Sequence, residues 1–104
     1  MLKCLTAASL LLLIASAGAA QADILRGKEL SERLCAPCHA IVPGQASPDP
    51  KAPTFARSAA DPSITLYSLR AFLRTSHWTM PNIIVKPDDI DDIAEYMLSL
   101  RPKP

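Results

Sequence analysis

Beyond residue 22 the sequence holds no apolar run near the ~18 residues needed to cross a bilayer, no surplus of either charge and only five aromatic side chains. Residues 23–104 balance ten Lys plus Arg against ten Asp plus Glu, a formal charge of zero. That balance excludes the strongly basic face that nucleic acid demands and the acidic tail of a disordered chain. Glycine occurs three times in the whole chain and never as a phosphate-cradling loop. No nucleophile stands beside a base in the sequence. At 104 residues the chain is one small domain at most, with too little polypeptide for a substrate pocket. A carrier or binding module is expected, and an enzyme is not.

What is present begins with an address. The first 22 residues are apolar at sixteen positions, carry one Lys and no acid, and contain none of the ten prolines. Lys3 supplies a positive n-region, and Leu10 to Ile14 form the centre of an apolar h-region of roughly ten residues. Small residues then run from Ala15 to Ala20, followed by Gln21 and Ala22. This is the layout of a secretory signal peptide over 1–22, with Ala20-Gln21-Ala22 as the A-x-A site and Asp23 as the new N-terminus. Cleavage after Ala19 or Ala20 is the neighbouring alternative, and an uncleaved membrane anchor the competing one. The short apolar run and the absence of a basic flank after it argue against the anchor. The expected location is the bacterial periplasm, with the domain occupying 23–104. Cys4 leaves with the leader, so the mature chain retains only Cys35 and Cys38 in an oxidising compartment.

Those two cysteines stand in Cys35-Ala36-Pro37-Cys38-His39, the C-x-x-C-H pattern of covalent haem c attachment. Cysteines at i and i+3 on a helical turn face one way, so both sulfurs reach the two vinyl groups of one porphyrin. The next residue then presents an imidazole to the iron. Three other readings compete. A thioredoxin-type C-x-x-C follows a strand, whereas the segment before Cys35 has a helical pattern. A zinc site wants two further Cys or His ligands, and only His39 and His77 exist. A disulfide would close too small a loop to stabilise much.

A carrier with both axial positions filled needs a second ligand. Met97 belongs to the helical stripe Ile90, Ile93, Ala94, Met97 and Leu100, so its expected place is the core. Met80 lies in Thr79-Met80-Pro81-Asn82, between two helical patterns and outside any stripe. A proline-fixed irregular segment can aim its thioether at a metal without breaking helix hydrogen bonds. Met80 is therefore the expected sixth ligand, with His77 as the rival.

Taken together these residues resemble the small class I cytochrome c family. The resemblance rests on Gly27 eight residues before Cys35, the CAPCH run, Ala52-Pro53-Thr54-Phe55, Met80-Pro81-Asn82 and the closing Ile93-Ala94-Glu95-Tyr96-Met97-Leu98. It implies an all-α fold of about three main helices around one covalent haem c. Cys35 and Cys38 would carry the thioethers, with His39 and Met80 as the axial ligands of the iron. It further implies that the Pro53 carbonyl accepts the other N–H of His39, fixing the ring and raising its basicity. Gly27 and Tyr96 would mark the crossing of the terminal helices, and Trp78 is placed either to hydrogen-bond a haem propionate or simply to pack. The chain departs from the family at the cap of the last helix, where Lys86 stands in place of a frequent Ser or Thr; a slightly weaker cap is expected.

Asp23 can cap a first helix running to about Cys35, with Ile24, Leu30 and Leu34 inward and Arg26 on the wet side. Residues 40–62 hold five prolines and no periodicity, and read as loop. Leu66, Leu69, Phe72 and Leu73 mark a second helix over about 63–75, with Arg70 and Arg74 outward and Phe72 toward the Met80 side. Pro87 opens the last helix as an N1 proline, with Asp88, Asp89, Asp91 and Asp92 in its first turns. Those acids read as a capped, solvated face; docking of a basic partner is the alternative. A chain of this size with a long coil is near the limit of self-sufficient folding. Several hundred Å² of apolar contact with a porphyrin adds on the order of ten kcal/mol before entropy. The function expected is one-electron transfer between redox partner proteins. The alternatives are a haem subunit docked on a periplasmic dehydrogenase or oxidase, and a haem sensor with a labile sixth ligand.

Overall fold

A computed structural model describes residues 22–75, 80 and 83–104. The chain winds through four helices: α1 (Ile24–Leu34), α2 (Phe55–Ala60), α3 (Leu66–Arg74) and α4 (Pro87–Ser99). Among the described residues there is no β-strand, as an all-α reading requires. Three of the four helices are the expected ones. The short α2 lies inside the proline-rich stretch read as loop, where Thr54 caps it by accepting from the Arg57 N–H. Six residues are too few to display a helical period, so only the Thr54 cap could have signalled it.

Each boundary has a local cause. Asp23 holds an extended backbone and its carboxylate accepts from the Arg26 N–H, opening α1. Thr65 and Ser68 form a reciprocal capping box at α3, each side chain bonding the other's backbone N–H. At α4, Pro87 sits in the first turn, and Lys86 makes no side-chain capping bond. The side-chain cap that a Ser or Thr would give is thus missing, in line with the chain's departure from the family at Lys86.

α4 is the hub, with α1, α2 and α3 all packed against it. Ile90, Ile93, Ala94, Tyr96 and Met97 are buried along it, so Met97 takes the core position its spacing implies. Leu30 from α1, Ala59 and Phe55 from α2, and Leu69 from α3 close over that stripe, joined by Ala40 and Ile41 from the loop after His39. The closest approach is at Gly27. A methyl group there would overlap the main-chain carbonyl of Asp92 and come within 3.0 Å of the Tyr96 Cβ. Gly27 and Tyr96 meet at the α1–α4 crossing, as the resemblance implies.

Two arginines make contacts beyond those their spacing implies, while Ile24 and Phe72 lie at the surface of the polypeptide, 45% and 44% exposed. Arg26 does not face water alone: its guanidinium binds Asp89 and Asp92 of α4 at 2.5 and 2.6 Å. Arg70 likewise turns to α4, forming a two-armed pair with Asp91 at 2.7 and 3.2 Å. Three of the four acids that open α4 are therefore spoken for within the molecule. Helix periodicity assigned those arginines to the outer face correctly, but it cannot see that a second helix lies along that face's edge.

Candidate haem site

Cys35 is the C-terminal cap of α1, its N–H bonded to the Ser31 carbonyl. The backbone continues in tight turns through the motif: Cys38 and His39 both donate their N–H to the Cys35 carbonyl, at 3.1 and 2.9 Å. The motif therefore follows a helix, not a strand, and the thioredoxin-type reading loses its premise. Both cysteines are half-buried, and they are not joined in a disulfide. Burial pushes the Cys35 thiol up to about 11, with a smaller opposing effect from the Ser31 hydroxyl. Among the described residues no group of three or more His, Cys, Asp or Glu side chains is disposed to hold a metal ion.

His39 is held from behind. Its Nδ1 lies 2.6 Å from the Pro53 carbonyl oxygen. A carbonyl only accepts, so Nδ1 carries the hydrogen and the neutral ring keeps its Nε2 lone pair for a metal. The loop that brings Pro53 back to His39 is pinned at several points. The Asp49 N–H donates to the Cys38 carbonyl, the Phe55 N–H to the Ala40 carbonyl, and the Ala40 N–H to the Ser47 hydroxyl. Phe55 then packs at 6.0 Å from the His39 ring and 6.3 Å from Tyr96, centroid to centroid. Tyr96 closes the arrangement by donating its hydroxyl to the Ile41 carbonyl at 2.7 Å. The imidazole is thus fixed by α2 and α4 through a loop that carries no periodicity.

The donor set fits a covalently attached haem: two thiols three residues apart, then an imidazole with its tautomer fixed and its outer nitrogen free. The family model for cytochrome c matches residues 24–101, from the start of α1 to just past the end of α4. The chain belongs to the cytochrome c family. It is also similar to a cytochrome c-552 of Bradyrhizobium diazoefficiens, 38% identical over 87 residues, which is 84% of either chain. No solved structure gives a significant match. As a cytochrome c it moves electrons by way of covalent haem c and acts with redox partner proteins.

Met80 is half-buried in the connection between α3 and α4. His77, Trp78, Pro81 and Asn82 lie outside the described residues. Two contacts carry no signal in the sequence. Arg101, just past α4, donates to the carbonyls of Ala59, Asp61 and Ile64, at 2.7, 3.4 and 2.5 Å, tying down the α2–α3 connection. The Tyr96 hydroxyl bond spans 55 residues. The stripe that placed Ile90, Ile93, Ala94 and Met97 in the core could bury the Tyr96 ring by its neighbours, but not assign its hydroxyl a partner.

Proposed function

We propose that this cytochrome c is an exported carrier of single electrons whose haem c is attached at Cys35 and Cys38 and ligated by His39 and Met80. The observation that carries the reading is the 2.6 Å bond between His39 Nδ1 and the Pro53 carbonyl, which leaves Nε2 as the donor. The bound haem supplies a one-electron iron couple. His39 would hold the iron through Nε2, and the Pro53 bond keeps its ring in one orientation. Met80 provides a soft thioether that favours the reduced state and raises the potential relative to a second histidine. With His39 and Met80 both holding the iron, the chain would leave no place there for a substrate, and the haem would supply one-electron exchange only.

The leader over 1–22 directs the chain to the periplasm, where residues 23–104 form the working domain. Among the described residues no helix is long and apolar enough to cross a membrane. The near-neutral charge of 23–104 becomes mildly negative with the haem propionates, so long-range steering of partners is modest. The test is the optical spectrum of the exported protein beside a Met80→Ala variant. The oxidised wild type is expected to show the weak red band of iron(III)–thioether ligation, and the variant to lose it. Absence of that band together with rapid carbon monoxide binding by the reduced wild type would replace this reading with that of a sensor.

A further inference from the structure

The start of α1 carries a contact that the haem site does not use. The backbone N–H of Asp23 donates to Asp92 Oδ1 at 2.8 Å, across 69 residues of sequence. Asp92 is only 8% exposed, and its other oxygen binds the Arg26 guanidinium at 2.6 Å. A buried carboxylate on α4 therefore aims one oxygen at the nitrogen of the residue that follows the expected leader cleavage site. We infer that export processing between Ala22 and Asp23 creates an α-ammonium at that nitrogen, which pairs with Asp92 and fastens the mature N-terminus to the last helix. The inference rests on the export reading proposed above.

The step is a peptide hydrolysis by a leader peptidase. Water divides the Ala22–Asp23 bond, leaving a carboxylate on Ala22 and an amine on Asp23 that takes up a proton at neutral pH. Before cleavage the contact is an amide donating to a carboxylate; afterwards the same nitrogen donates with a full positive charge, the stronger form of the bond. The charges around it suit this change. At the start of α1 stand Arg26 and the capping Asp23, whose carboxylate stays on the Arg26 N–H at 3.0 Å. On α4 stand Asp89 and Asp92, and Asp88 and Lys86 line the adjoining cleft with Arg26. Without the ammonium, Arg26 is the sole cation bound to Asp89 and Asp92 in the contacts described. A positive amine at a helix start opposes the α1 dipole, and the Asp23 and Asp92 carboxylates offset this.

The sign of the pH effect follows. Pairing with Asp92 raises the folded amine above its ordinary value of ~8. Its stabilisation is complete below that value and lost as pH climbs through the folded one. The test uses mature holoprotein: an intact mass to locate the first residue, then unfolding by denaturant at about pH 7 and about pH 10. The same measurement is made on holoprotein acetylated at its α-amine, which restores a neutral amide, and on Asp92→Asn. The expected result is a chain beginning at Asp23 whose folding constant falls roughly fivefold more over this range than that of either control. Asp92→Asn is less stable at every pH because it also loses Arg26, so the slope and not the level is the readout. A mature chain beginning at Ala20 or Gln21 overturns the inference and leaves export standing. A chain that retains its leader overturns both. A chain beginning at Asp23 with the same slope as its acetylated form overturns the ion pair alone.

Discussion

Tyr96 does two jobs at one position. Its ring packs against Phe55 behind His39, and its hydroxyl satisfies the Ile41 carbonyl two residues beyond that histidine. Burial raises the phenol above its ordinary range, with a smaller push from Glu32, so the hydroxyl remains a donor at any physiological pH. In Tyr96→Phe the ring stays and the buried Ile41 carbonyl loses its partner. A loss of about 1–2 kcal/mol is expected from the denaturant midpoint of the holoprotein. Because His39 keeps its bond to Pro53, the haem spectrum of this variant should be unchanged; a changed spectrum would mean that Tyr96 also sets the imidazole. The candidate site was legible in the sequence at Cys35, Cys38 and His39 because the C-x-x-C-H pattern is a matter of spacing within five residues. The Pro53 carbonyl entered through family resemblance, since a backbone acceptor fourteen residues away leaves no side-chain mark.

At the level of helices, α1 and α4 lie in contact because Gly27 has no side chain. Gly27→Ala would drive a methyl into the Asp92 carbonyl, which is rigid helix backbone. The helices must separate, disturbing the Arg26 pairs with Asp89 and Asp92 as well. The expected cost is about 3 kcal/mol, the upper part of the range for overpacking, read as a lowered thermal midpoint of the holoprotein. The opposite outcome is expected at the start of α4. Lys86 already has the extended backbone of an N-cap but offers no acceptor. Lys86→Ser supplies one, and a gain of about 0.5–1 kcal/mol should appear in the same melt. Unchanged stability in Lys86→Ser would show that the acids of the first turn, Asp88 and Asp89, already supply what the cap lacks.

Over the whole molecule, several large apolar side chains of the described residues lie at the surface of the polypeptide. The buried core among the described residues comprises eleven apolar side chains, three of them alanines. Ile84, Tyr67 and Leu25 stay at least 76% exposed. Between α1 and α2 runs a proline-rich stretch of twenty residues held mainly by the few bonds that return it to Cys38, Ala40 and His39. Such a loop in a small domain needs an apolar partner beyond the chain, a part that the covalent haem c of the family would fill. Polypeptide made without haem, for instance as Cys35→Ala with Cys38→Ala, should be largely unfolded by far-ultraviolet circular dichroism and show no cooperative melt. A sharp haem-free transition would show that α4 and its neighbours suffice by themselves.

What the sequence determined alone is whatever is decided within a turn or two of chain. The CAPCH spacing, the Asp23 cap, the proline that opens α4 and the stripe that buries Met97 all belong to that class, because caps and helix periods are local physics. Only the tertiary structure decided the contacts that cross the molecule. Arg26 and Arg70 read as outward arginines until α4 is laid beside them, and nothing in the sequence gives Arg101 a partner until the α2–α3 connection presents three carbonyls to it. The six residues of α2 fall below the length at which a period exists. These features depend on which surfaces meet, and that is set by Gly27 permitting close approach and by buried groups requiring partners, neither of which leaves a repeat in the chain.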